Sequence, residues 1–176
     1  MRNLLDINGN AIFTNKWYKI MLSDGSELGF GVSLDGGKYG CAPVPSGQGL
    51  VIRYRRHQND DLTIYGWPIG DCGYFKGYTV TPDGGQVLIK HLSLSNGSPP
   101  LLAWYDSDDS YGFVAKQLPG NRVALYAFDQ NKAVAGLKVQ NVGQGLSMHG
   151  VQGAYPIALD CAFVEVGPYD TANIYF

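Results

Sequence analysis

The sequence predicts an all-β protein of about twelve short strands, on three observations. The composition is turn-rich and aromatic-rich, with 24 Gly, 9 Pro and 12 Tyr against only 16% charged residues. Gly-, Pro- and Asn-containing turn signals recur at short, regular intervals between apolar runs. Helical periodicity is absent along the whole chain.

In chain order, Leu4-Leu5 runs into Asp6-Ile7-Asn8-Gly9-Asn10, where Asn-Gly supplies the positive φ of a tight turn, and an extended pattern resumes at Ile12 and at Trp17-Tyr18-Lys19-Ile20. Lys19–Leu22 stops at Ser23-Asp24-Gly25, and Leu28–Leu34 stops at Asp35-Gly36-Gly37. Two prolines make the stretch from Cys41 to Gly49 a loop, because Pro lacks the donor a central strand needs. Leu50–Arg56 and Leu62–Tyr65 read as strands, the second stopped by Gly66-Trp67-Pro68. From Ile69 to Gly77 the chain is dense in glycine, and it becomes extended again at Tyr78-Thr79-Val80. Pro82-Asp83-Gly84-Gly85 is a turn, with Pro setting φ and Gly supplying positive φ.

Val87–Leu94, Leu101–Tyr105, Gly112–Leu118, Arg122–Phe128, Ala135–Val142, Gly145–Met148 and Ile157–Val166 complete the strands, with a hairpin at Pro119-Gly120-Asn121. Similar segments recur at Trp17-Tyr18-Lys19-Ile20, Tyr78-Thr79-Val80 and Gly136-Leu137-Lys138-Val139, a spacing of about 60 residues. Three pseudo-repeats of four strands are what a β-trefoil requires, and residues 1–176 are expected to form one such domain, with 167–176 as a C-terminal tail.

Charge narrows the partners. A net charge of −2 and a pI near 5.8 give no general basic field for nucleic acid. No run of 18 apolar residues is present, so no membrane span is expected. Met1-Arg2 leads into the turn motif without a long apolar segment, so the expectation is a cytoplasmic protein, or a secreted one if the chain is a mature form. Cys41, Cys72 and Cys161 are odd in number and far apart, as buried free thiols are, with no disulfide or zinc pattern.

The opening stretch carries a more specific signal. Leu4, Asp6, Gly9, Ile12, Tyr18 and Ile20 stand at a spacing that resembles the N-terminal signature of the soybean Kunitz-type trypsin inhibitors, whose members are β-trefoils. The glycines after Leu34, Ala42-Pro43, the strand from Leu50 to Tyr54 and the run from Tyr155-Pro156 to Val166 are similar to later parts of that family. The resemblance implies an inhibitor that offers an exposed, substrate-like loop between its fourth and fifth strands to a protease, of the serine class before the cysteine class. It places that loop at Gly73-Tyr74-Phe75-Lys76-Gly77-Tyr78, with Lys76 offered to the specificity pocket. The Asn that braces the loop in the family is met here by Thr14, with Asn15 one residue on, and the family's disulfides are missing.

A carbohydrate- or protein-binding module, lectin-like or a toxin component, is the alternative. Aromatics beside turns, with Trp67, Trp104, Tyr105 and Asp106 foremost, offer the ring faces and polar anchors that sugar sites use, although the Gln-x-Trp repeat of ricin-type lectins is absent. Catalysis is not expected, because His57, His91 and His149 accompany no nucleophile motif. No cofactor or metal is expected. Asp106-Ser107-Asp108-Asp109-Ser110 is oxygen-rich but lacks the Gly and Glu of the common calcium loop. Arg53, Arg55 and Arg56 form the one basic cluster and read as a solvated strand face.

Overall fold

The computed structural model describes residues 2–34, 38–58, 63–80, 87–97, 99–107, 109–141, 146–153 and 156–167. The expected turns at Asp35-Gly36-Gly37 and Pro82-Asp83-Gly84-Gly85, the residues Asp60, Asp61, Leu62, Asp108, Gly145 and Tyr155, and the tail beyond Gly167 lie outside them.

Among the described residues the protein is all-β, with twelve strands and one short 3-10 turn, Pro119–Asn121. The strands are β1 (Trp17–Leu22), β2 (Glu27–Leu34), β3 (Lys38–Val44), β4 (Val51–Arg55), β5 (Tyr74–Val80) and β6 (Val87–Leu94), followed by β7 (Leu102–Tyr105), β8 (Phe113–Leu118), β9 (Arg122–Phe128), β10 (Val134–Asn141), β11 (Leu146–Val151) and β12 (Leu159–Val166). All pairings are antiparallel.

Two kinds of strand are distinguished by what they pair with. β1 lies between β12 and β4, β4 pairs β5, and β12 pairs β9, which pairs β8. The bridge between Gly73 and Phe113 joins the start of β5 to β8, so these six strands close on themselves. The remaining six form the hairpins β2–β3, β6–β7 and β10–β11, and β11 packs against both β3 and β7. Leu4, Ile12, Tyr18, Ile20, Trp67, Phe75, Phe113 and Phe163 fill the interior, fully or almost fully buried. Removal of such apolar surface from water is the dominant favourable term in the fold.

Three local expectations are corrected. The stretch read as a loop from Cys41 onward continues β3 through Pro43 to Val44. Proline is tolerated there because β7 pairs only Tyr39 and Gly40, so at Pro43 the strand has β2 on one side alone. Thr63-Ile64-Tyr65, read as a strand from its β-branched and aromatic residues, belongs to the connection between β4 and β5. Conversely, Gly73 to Tyr78, placed in an exposed loop by the family resemblance, is the entry and the first five residues of β5, and the glycine-dense stretch from Ile69 to Gly77 ends inside that strand.

Those glycines are packing devices. A Cβ on Gly77 would stand 2.4 Å from Leu50 Cδ2 and 2.9 Å from Trp104 Cζ3, and one on Gly73 would stand 2.8 Å from both the Trp67 and Tyr54 rings. Gly77→Val is therefore expected to destabilise the protein by about 1–3 kcal/mol or more through overpacking, read as a lower urea midpoint.

The opening motif is a turn bounded by a single bridge, Leu5 to Ala11, without long strands on either side. Asp6 Oδ1 accepts the backbone N–H groups of Asn8 (2.9 Å) and Asn10 (3.0 Å), and Gly9 takes φ 83°. Leu4, Ile12 and Ile20 point into the core. Tyr18 Oη accepts the N–H of Phe13 at 2.9 Å, and burial raises its phenol to about 12. Each of the six signature positions thus has a structural task in holding residues 3–20.

Candidate functional site

Residues Arg56 to Gly73 connect β4 and β5, and among the described residues of this connection Ile64 is the large apolar side chain that stands exposed. Ile64 is 60% exposed and Thr63 is exposed, while Trp67, three residues on, is fully buried. The change from exposed to buried within four residues comes from how the backbone is anchored.

Thr14 makes that anchor. Its hydroxyl donates to Thr63 O at 3.1 Å and accepts the N–H of Tyr65 at 3.0 Å, so one buried side chain spans the backbone on both sides of Ile64. The Thr14 N–H donates to Tyr65 O at 2.9 Å, Phe13 bridges Gly66, and the Trp67 N–H donates to Ile12 O at 3.1 Å. From behind, the Arg53 guanidinium donates to Thr14 O through Nε (3.2 Å) and Nη2 (2.8 Å), while its plane lies over the Trp17 ring. Arg56 lies over the Tyr65 ring, 4.7 Å from its centroid. Arg53 and Arg56 thus brace this loop, and Arg55 is buried, so the expected solvated strand face is corrected.

Trp67 roots the same segment. Its ring stacks on Tyr54 at 4.9 Å, meets Phe75 and Phe163 edge-on, and donates Nε1–H to Asp71 O at 2.9 Å. The exposed tip is therefore tied to the core by one tryptophan and to residues 12–14 by a short hydrogen-bonded ladder.

The residues expected to form a protease-binding loop stand elsewhere. Lys76 pairs Arg53 and His91 in the sheet and is only 6% exposed; Phe75, Gly73, Gly77 and Tyr78 are buried and Tyr74 is half-buried. A lysine fixed inside a strand between two neighbours cannot be offered to a pocket, so this assignment is corrected. Thr14 braces residues 63–65 instead, and Asn15 is exposed beside it. Ile64 went unnoticed because Thr-Ile-Tyr has the composition of a strand. The available signal was its place between two stronger strands, Val51–Arg55 and Tyr74–Val80.

The expected sugar platform also disperses. Trp67 and Trp104 are both fully buried, and Trp104 donates Nε1–H to Gly29 O at 3.2 Å, so neither ring meets solvent. Asp106 is exposed and paired with Lys90. Tyr105 does line a concavity of about 320 Å³ with Tyr111, Lys38, Asn96 and Asp109, and the Lys38 ammonium sits 5.1 Å from its ring centroid. Burial raises the Tyr105 phenol above its ordinary value. Cys41 and Cys161 are buried free thiols, Cys72 is a half-buried one, and no group of metal-ligating side chains occurs among the described residues.

No family model and no curated protein sequence matches the chain. Solved structures do. Soybean trypsin inhibitor in complex with porcine pancreatic trypsin is 14% identical, with a TM-score of 0.68 over 94% of this chain and 100% of that one. A water-soluble chlorophyll protein from Brassica oleracea var. Botrytis is likewise 14% identical, with a TM-score of 0.68 over 95% and 100% of the two chains. The binding domain of botulinum neurotoxin serotype C1 has the same identity and TM-score, over 95% of this chain and 47% of that one.

The chain thus has the fold of the soybean Kunitz-type trypsin inhibitors. That fold is shared by inhibitors, a pigment-binding protein and a toxin domain, so function has to be argued from the site.

Proposed function

We infer that the protein is a β-trefoil that inhibits a protease through the connection between β4 and β5, presenting Ile64 to the enzyme's specificity pocket. The single observation that carries this reading is Thr14, whose hydroxyl holds Thr63 O and Tyr65 N–H on either side of a 60%-exposed Ile64. A loop held extended before binding loses little conformational freedom on binding, which is what separates an inhibitor from a flexible substrate. The closed ring of six strands with three hairpins packed together supports the trefoil and supplies the rigid base.

The role is binding without catalysis. An aliphatic side chain at the tip favours serine proteases whose pocket accepts a branched apolar group, such as subtilisin- or elastase-like enzymes, over those that require a basic residue. The test is inhibition of subtilisin, elastase, chymotrypsin, trypsin and papain by the folded protein. Inhibition of an apolar-pocket serine protease is the expected result, and no inhibition of any of the five would sink the reading.

Thr14→Val keeps the shape of the side chain and removes the hydroxyl. It is expected to weaken inhibition roughly tenfold, the size of a net hydrogen-bond contribution or somewhat more, and to leave the inhibitor itself cleaved faster on prolonged incubation. Mass spectrometry of the incubated mixture locates the cut, which is expected after Ile64.

A further inference from the structure

A cavity of about 590 Å³ opens between the β6–β7 connection and the β10–β11 hairpin. It shares no residue with the Ile64 loop. Its polar lining comprises the carboxamides of Asn96, Gln130, Asn131, Gln140 and Gln152, together with His149. No Lys, Arg, Asp or Glu stands in its lining among the described residues, and the register partner of His149, Lys138, is exposed outside it.

His149 is the unusual member. Only 7% of the residue is exposed, Nε2 lies 2.9 Å from Ser147 Oγ, and the buried Nδ1 has no hydrogen-bond partner among the described residues. Backbone contacts fix it in place: His149 bridges Leu101, and the Gly150 N–H donates to Pro100 O at 2.9 Å. Burial lowers the imidazole pKa, so the ring is neutral at pH 7 and keeps one donor and one acceptor nitrogen. A buried polar atom without a partner carries a desolvation cost.

The neighbours are pre-set as well. Asp129 Oδ1 accepts the N–H groups of Asn131 (2.8 Å) and Ala133 (3.0 Å), and Asp129 Oδ2 accepts Gln152 Nε2 at 2.9 Å. This turns the NH2 end of Gln152 toward Asp129 and leaves its carbonyl end directed away. Tyr111 Oη donates to Asn96 Oδ1, and Asn96 lines both this cavity and the one holding Tyr105 and Tyr111.

We propose that this cavity binds a neutral carbohydrate, with the carboxamides beside His149 meeting neighbouring hydroxyls and the adjoining tyrosine-lined concavity taking a second sugar unit. The chemistry selects this class. Carboxamides offer donors and acceptors together, as vicinal hydroxyls require, and Pro99 and Val151 offer apolar surface to ring CH groups. In the His149 cavity a charged ligand would lose its hydration without gaining a counter-charge from the described lining.

The test is a glycan array carrying neutral, sialylated and sulfated glycans, followed by amide NMR titration with the neutral disaccharides lactose, cellobiose and mannobiose and with the best neutral array hit. Expected are binding of a neutral glycan, amide shifts at Asn96, Gly97, Gln130, Asn131 and residues 149–152, and roughly tenfold weaker binding in His149→Ala and Gln152→Ala. Gln140→Ala and Gln152→Ala change exposed residues, so they keep the test decisive if His149→Ala does not fold. Absence of any neutral-glycan binding, binding of anionic glycans only, or neutral binding that neither Gln140→Ala nor Gln152→Ala weakens and whose shifts map elsewhere would each overturn the proposal. Ile64→Arg is expected to leave glycan binding unchanged, so failure of the inhibitor reading is distinguishable from failure of this one.

Discussion

Ile64→Arg is expected to convert the protein into a trypsin inhibitor while inhibition of apolar-pocket proteases falls by at least about a hundredfold, the scale of losing a central hot-spot contact. The backbone around residue 64 is held by Thr14 from one side and, through Thr14, by Arg53 from behind, so the substitution changes what enters the pocket and not how the loop is presented. At 60% exposure the side chain makes little intramolecular packing that its loss would cost. Ile64→Asp is expected to abolish inhibition of every member of the panel, because an unpaired carboxylate would be desolvated in the pocket. Inhibition constants with parallel thermal melts check both variants: unchanged melting with inhibition also unchanged would remove Ile64 from the interface.

The largest expected loss of stability is at Trp67. Trp67→Ala should cost about 3–5 kcal/mol, as truncations of fully buried aromatic residues do, with the effect read from urea unfolding. The ring stacks on Tyr54, meets Phe75 and Phe163, and ties Asp71 through its indole N–H, so its removal opens a void against three aromatic partners and orphans a carbonyl. Inhibition should fall with it, since Trp67 anchors the end of the segment that presents Ile64. Trp67→Phe is expected to recover much of the stability. Were Trp67 a ligand platform instead, the Ala variant would lose binding and keep its unfolding midpoint.

Much of the architecture was legible because turns and strand patterns are local. Asn8-Gly9, Ser23-Asp24-Gly25 and Pro119-Gly120-Asn121 announce their turns through residues that tolerate the required φ; Gly9, Gly25, Gly120 and Asn121 all have positive φ. The six-residue opening signature was informative for a related reason. Its spacing records which residues must enter the core and which must close the turn, and Asp6, Gly9 and Tyr18 each do so through a contact within five residues.

The errors have a common physical source. Gly73 and Gly77 suggest a loop when read along the chain, yet each sits where another side chain crosses the strand, Trp67 and Tyr54 over one, Leu50 and Trp104 over the other. Thr63-Ile64-Tyr65 has strand propensity, yet Thr14, 49 positions away from Thr63, holds it through both its hydroxyl and its backbone N–H. Trp67 and Trp104 look like exposed rings because turns flank them, and tertiary packing buries both completely.

By itself, then, the sequence determined the all-β class and most of the turns, which rest on backbone preferences and on alternation within a few residues, while the kinship of fold rested on the resemblance carried by Leu4, Asp6, Gly9, Ile12, Tyr18 and Ile20. Only the tertiary structure decided that Thr14 braces residues 63–65, that Lys76 lies within a sheet while Ile64 is exposed, and that His149 gathers with Gln140, Gln152 and Asn96 around one cavity. Those facts depend on contacts between residues tens of positions apart, and no local pattern encodes which side chains will meet across a closed sheet.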